Sequence, residues 1–168
     1  ALDFSEEERM RVVGVADSIS ALSEIAKAHR LATRAKVLAV TGTAGKTTTK
    51  ELIKNVLGTS FRCLASEKSF NNQIGLPLTL LQIEPDLEFC VVELGINQVG
   101  EMAKLADIAL PDMSLITNIG MSHLSGLHNV ETVAIEKGKL FEKTSSKGTL
   151  FINGGDRKIL SMAQTLPQ

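Results

Sequence analysis

Residues 40–50, VTGTAGKTTTK, place two glycines, a lysine and three consecutive threonines directly behind an apolar run. Glycine allows a tight turn whose backbone N–H groups converge on an anion, and a lysine followed by hydroxyls can hold phosphate and a divalent cation together. The long form of this signature, G-x-x-x-x-G-K-[ST], requires glycine five positions before Gly45, where this chain has Val40. The segment still lies between an apolar run and a helical pattern, which is the context that phosphate binding demands. There the backbone N–H groups around Thr43, Ala44, Gly45 and Lys46 would wrap phosphate oxygens at a helix N-terminus, whose partial positive charge favours anions. Lys46 would neutralise the terminal phosphates, and the Thr47 hydroxyl would ligate magnesium.

Glu93 closes the apolar run CVVE and is a candidate magnesium ligand if its strand neighbours the one that precedes the glycine loop. His123, in TNIGMSHLSGL, is a candidate for metal or phosphate contact, whereas His29 and His128 read as ordinary polar side chains. Asn71 and Asn72, in SFNNQIGLP, either cap and turn a loop or donate to a phosphate, and the residues alone leave both readings open. Lys137, in IEKGKLF, reads by itself as an exposed helical lysine.

Elements at regular intervals would position these groups. A helix is predicted over 18–30 with Asp17 or Ser18 as its cap, then a strand over 36–40, a helix over 46–57 stopped by Gly58, and a strand over 61–65. A short helix with Pro77 in its first turn follows, then a strand over 88–95, a helix over 100–110 ended by Pro111 and a strand over 113–119. A glycine-rich loop leads to a helix over 130–143, a strand over 148–153 and a final helix near 156–165. Alternation of this kind calls for an α/β fold, a mostly parallel sheet with helices on both faces. Ligands of such sheets bind beyond the carboxyl ends of the strands, so the loops after the strands should face one site.

With 43% hydrophobic and 22% charged residues and a net charge of -1, the 168-residue sequence describes a globular domain with no electrostatic pull toward nucleic acid. No apolar stretch approaches the about 18 residues of a membrane span. Cys63 and Cys90 sit in apolar runs without C-x-x-C spacing, which fits buried thiols in a reducing compartment, and a cytoplasmic location is expected.

Taken together, TGTAGKTTTKE, SFNNQIGLP, VVELGINQVGE, TNIGMSHLSGL, VAIEKGKLF and FIN resemble, in order and over about residues 36–153, the ATP-binding central domain of the Mur ligase family. That family uses the short loop form T-G-[TS]-x-G-K-[TS], in which Val40 is no anomaly. The resemblance implies that Gly42 to Thr48 bind the phosphates of ATP, that Thr47 and Glu93 hold one magnesium ion, and that His123 and Lys137 serve a second. It matches Lys137 to a family lysine that reacts with carbon dioxide to form a carbamate, which reverses the reading of that residue taken alone. It places Asn71 and Asn72 where the family loop nears the reacting phosphate and the substrate carboxylate, so that Lys46, Asn71 and Asn72 form the implied catalytic set. The implied reaction is ATP-driven amide bond formation in peptidoglycan precursor synthesis. The C-terminal carboxylate of a UDP-N-acetylmuramoyl tripeptide is phosphorylated to an acyl phosphate, which the amine of D-alanyl-D-alanine then attacks, on an enzyme expected to be a monomer. The alternatives are another ligase of the same family or a non-catalytic ATP-binding module or fragment.

Family members have three domains, so residues 1–34 are expected to be a helical lead-in from an amino-terminal domain, and 35–168 part of the ATP-binding domain. After Asn153 the family often shows Asn-x-Asp-Asp, where this chain reads NGGD, with Gly155 in place of the first aspartate.

Overall fold

β1 (Lys36–Thr41) carries an uninterrupted apolar run because both of its faces are covered. Val37 and Ala39 point into the larger core and Leu38 and Val40 into a second one on the opposite face, the two-residue period of a strand. The computed structural model describes residues 11–67, 70–122 and 124–166. Around β1 lie β2 (Cys63–Ala65), β3 (Phe89–Glu93), β4 (Met113–Ile116) and β5 (Thr149–Ile152), all parallel, in the order β2-β3-β1-β4-β5.

The helices follow from this order. α1 is Ser18–Ala32, α2 Lys46–Leu57, α3 Gly75–Leu80, α4 Glu101–Ala109, α5 Leu124–Leu127, α6 Val130–Glu142 and α7 Arg157–Gln164. The connection from β1 to β2 runs toward one edge, and those from β2 to β3, β3 to β4 and β4 to β5 run the other way. A constant crossover hand therefore puts α2 on one face and α3, α4 and α6 on the other. The cores agree: Ile53 and Leu57 of α2 pack on Leu38, Val40 and Val91, while α1, α3, α4 and α6 share the larger core with Val37, Ala39, Cys90 and Val92.

Local chemistry fixes the helix ends. Asp17 accepts the Ser20 amide at 2.6 Å, Asn129 accepts the Thr132 amide at 2.8 Å, and Asp156 accepts those of Lys158 and Ile159. Before Pro111 the chain leaves helical geometry at Leu110, whose φ is 45°. The carbonyls left open there are taken by Arg30 of α1, which donates to Ala109 at 3.2 Å and Leu110 at 3.1 Å and pairs with Asp112 at 2.7 Å. α1 is thereby fastened to the rim of the sheet opposite the glycine loop.

The strands are shorter than the apolar runs suggest, mostly at their carboxyl ends: β3 stops at Glu93 and β4 at Ile116. The loop expected over 120–129 contains the short α5, against which the Asn97 carbonyl packs so closely that a Cβ on Gly126 would lie 2.1 Å from it. Cys90 is fully buried and Cys63 half-buried, both as free thiols, and burial pushes the Cys90 thiol up to about 12. Among the described residues, no helix is long and apolar enough to cross a membrane.

Candidate nucleotide and metal site

β1 runs between β3 and β4 with Val40 in register with both Glu93 and Leu115, so the loops leaving these strands emerge together. Gly42 leaves β1 with φ 150°, and its carbonyl accepts from two ammonium groups, Lys46 Nζ at 3.1 Å and Lys137 Nζ at 3.0 Å. Gly45 has φ 79° and starts α2, so that Lys46 and Thr47 occupy its first turn. Thr47 Oγ1 donates to Glu93 Oε2 at 2.7 Å, and Asn71 Nδ2 donates to Glu93 Oε1 at 2.9 Å. The backbone N–H of Glu93 is held by Ser66 Oγ at 3.1 Å.

The loop after β4 shapes the glycine loop from the other side. Asn118 accepts the Thr43 amide on its backbone carbonyl and the Ala44 amide on Oδ1, each at 3.0 Å. The Ala44 carbonyl in turn accepts from Thr117 Oγ1 at 2.6 Å and Asn118 Nδ2 at 3.0 Å. Asn153 donates to the Thr117 carbonyl at 2.7 Å, and Asp156 accepts the Ile119 amide at 2.7 Å. Two of the amides assigned to phosphate by the sequence thus have protein partners. Gly45 and the first amides of α2, at Lys46, Thr47 and Thr48, stand at the helix N-terminus, where no intrahelical carbonyl reaches them. Thr117, Asn118 and Asp156 are supports that the sequence marks only by position, in the segments that follow β4 and β5.

A methyl group has no room at Gly42, where a Cβ would sit 1.9 Å from Thr117 Oγ1 and 3.2 Å from the Asn118 amide nitrogen. Gly42→Ala is expected to cost about 1–3 kcal/mol of stability through the clash and the strained φ. It should also weaken ATP binding at least roughly tenfold by splaying Thr117 from Ala44. A urea titration and calorimetry with ATP check the two effects.

Lys137 departs from the exposed lysine that its residue pattern suggests: it is 2% exposed. Burial, and after it the Lys46 ammonium nearby, lowers its pKa from 10.5 to about 8. Its neighbour Glu136, also buried, accepts the Gly100 amide at 2.8 Å and the Met102 amide at 3.2 Å, which anchors α6 to the start of α4. Of the paired asparagines, Asn71 reaches Glu93, whereas Asn72 Oδ1 accepts the Ile74 and Gly75 amides at 3.1 and 2.9 Å and shapes the start of α3. His29 contacts the Ile83 carbonyl at 2.9 Å, away from these groups. His123 lies outside the described residues.

The donor set suits one hard cation. Thr47 and Glu93 offer a hydroxyl and a carboxylate within hydrogen-bond distance of each other, and no group of three or more His, Cys, Asp or Glu able to hold a metal occurs among the described residues. Magnesium binds in this manner, through one or two protein oxygens with its other positions filled by phosphate and water. Lys137, as an ammonium, adds repulsion rather than a ligand.

The family model of the Mur ligase middle domain matches residues 40–167. The chain belongs to the Mur ligase family. A UDP-N-acetylmuramoyl-tripeptide–D-alanyl-D-alanine ligase of Bacillus subtilis is 40% identical over 156 residues, covering 93% of this chain and 34% of that protein. A crystal structure of MurF from Acinetobacter baumannii superposes with a TM-score of 0.86 at 29% identity, covering 91% of this chain and 35% of that one. The MurF ligase of Thermotoga maritima in complex with ADP gives a TM-score of 0.81 at 27% identity, covering 89% of this chain and 34% of that one. The parallel sheet and its helices are therefore those of a Mur ligase middle domain, and the chain spans about a third of the length of these Mur ligases.

Proposed function

We propose that this chain is the nucleotide-binding part of an ATP-dependent amide ligase that joins D-alanyl-D-alanine to a UDP-N-acetylmuramoyl tripeptide, a cytoplasmic step of peptidoglycan precursor synthesis carried out by a monomer. Residues 1–34 are read as the lead-in from an amino-terminal domain and 35–168 as part of the central domain; residues 1–10 lie outside the described residues. The observation that carries this reading is the meeting of Lys46, Thr47, Asn71 and Glu93 at one sheet rim, with Thr47 and Glu93 2.7 Å apart. Three separate stretches of sequence supply a cation, a hydroxyl, an amide and a carboxylate to a helix N-terminus, which is what a polyphosphate with magnesium requires.

Magnesium held by Thr47 and Glu93 would neutralise charge on the phosphates. The chain's own work is positioning: the first amides of α2 and Lys46 orient the β- and γ-phosphates, and Asn71, fixed on Glu93, lies on the loop assigned to the incoming carboxylate. That carboxylate takes the γ-phosphoryl group as its bond to ADP breaks. The amine of D-alanyl-D-alanine then attacks the acyl carbon, inorganic phosphate leaves, and the nitrogen loses a proton. Asn72 completes the assigned loop. Lys137 is read as the residue that becomes a carbamate and, with His123, serves a second magnesium. Its lowered pKa supports this, because only the neutral amine adds to carbon dioxide.

Phosphate release from ATP tests the proposal, with each substrate omitted in turn and the product weighed by mass spectrometry. Release that requires both substrates and yields the muramoyl pentapeptide supports the ligase. ATP binding without any peptide product supports a non-catalytic nucleotide-binding module.

A further inference from the structure

Lys50 is 0% exposed, and no step above uses it. It lies one turn beyond Lys46 on α2, on the inward stripe that continues to Ile53 and Leu57. Burying an ammonium is costly unless it is paired, and a methionine would fill the same space without a charge. The pairing found here is specific. Nζ donates to the Ser66 carbonyl and forms an ion pair with Glu51 Oε1 at 2.9 Å. Ser66, itself buried, donates its amide to the Val91 carbonyl at 3.0 Å and accepts the Glu93 amide on Oγ at 3.1 Å. Asn71, also between β2 and α3, donates to Glu93 Oε1.

We infer that Lys50 is a positioning residue for the metal site, locking α2 to Ser66 and through Ser66 fixing Glu93 opposite Thr47. Thr47 and Glu93 belong to different elements, and their 2.7 Å separation depends on how α2 sits against the end of β3. Lys50 is the charged side chain of α2 that spans this junction from within, and it grips the residue that grips Glu93. Side chains that orient a ligand-bearing group change metal affinity without touching the metal. The inference rests on the proposed reading of Thr47 and Glu93 as magnesium ligands.

Binding of manganese, as a paramagnetic probe, to the ADP-loaded full chain tests it, alongside ADP binding in EDTA and the thermal melt. Lys50→Met and Ser66→Ala are each expected to weaken manganese binding roughly 10- to 100-fold while leaving ADP affinity in EDTA within about twofold. Ser66→Ala keeps the carbonyl that Lys50 holds, so it removes only the link to Glu93. Unchanged manganese affinity in either variant overturns the inference, and so does a Lys50→Met chain that no longer folds, because the lysine is then a scaffold residue. If the unsubstituted chain binds no manganese with ADP, the nucleotide reading itself fails. If it binds and the variants match it, only the role of Lys50 is lost.

Discussion

Lys46→Ala is expected to slow phosphate release from ATP in the presence of both substrates roughly a thousandfold, about 4 kcal/mol of transition-state stabilisation. The magnitude follows from where charge moves. As the γ-phosphoryl group departs, negative charge develops on the bridging oxygen and on the equatorial oxygens, and a cation already held at that place stabilises it without reorganisation. Lys46 fits this requirement: it sits in the first turn of α2 and donates to the Gly42 carbonyl at 3.1 Å. The fold should hardly notice the change, since the residue is only partly buried and alanine is the best helix former. Lys46→Arg should not restore the rate, because a planar fork cannot replace a point charge beside Lys137 in the same space. Turnover within about threefold of the unsubstituted protein would remove Lys46 from the mechanism, and a fallen melting temperature would move the effect to stability.

What the sequence shows of this site, and what it hides, follows from how locally each feature is encoded. α2 begins at Lys46 and ends at Leu57, as the pattern predicts, because Gly45 and Gly58 mark its ends within the segment itself. The strands are legible as apolar runs since both faces are covered, but their order is not: that β1 lies between β3 and β4 depends on packing among distant segments. The predicted strands overshoot where the chain turns aside to serve the site. Gly95 gives its amide to Asn71 and Thr117 its hydroxyl to Ala44, so residues that look like strand are loop supports.

Lys50 and Lys137 depart from what residue type alone suggests. Each is a lysine on a helix, and charge argues for solvent; yet each lies on the apolar stripe of its helix. Lys50 is in line with Ile53 and Leu57, and Lys137 with Val133, Leu140 and Phe141. A cation at a core position in the 3.6-residue period is the signal that could have found them. Gly138 adds a second, since a Cβ there would meet Met162 Sδ at 2.9 Å, which marks this turn of α6 as closely packed.

Lys137→Met, in turn, is expected to make the chain more stable and the enzyme inactive. The lysine pKa falls from 10.5 to about 8 on folding, first through burial and then through Lys46. Below about pH 8 both the folded and the unfolded chain carry the proton, and the folded state bears the full cost of the buried ammonium. Between about 8 and 10.5 the unfolded chain binds the extra proton, so stability rises with pH, and above 10.5 the cost is gone. The gap between the two pKa values corresponds to about 3 kcal/mol, from which the hydrogen bond to the Gly42 carbonyl, worth about 1 kcal/mol, must be subtracted. In buffer free of carbon dioxide and nucleotide, the methionine variant should therefore be more stable by about 2 kcal/mol at pH 7, with the advantage lost by about pH 10. If Lys137 carries the proposed carbamate, phosphate release with both substrates should fall at least roughly a thousandfold, because the variant removes an anionic metal ligand. Urea titrations at the two pH values, steady-state assays, and a carbon-13 carbamate signal that appears with labelled bicarbonate and vanishes in the variant check each part. A lysine kept only for packing would give the reverse result, a less stable chain with its turnover intact. On the carbamate reading, a residue that weakens the fold is expected here, because the same amine must be neutral enough to react and buried enough to stay in place.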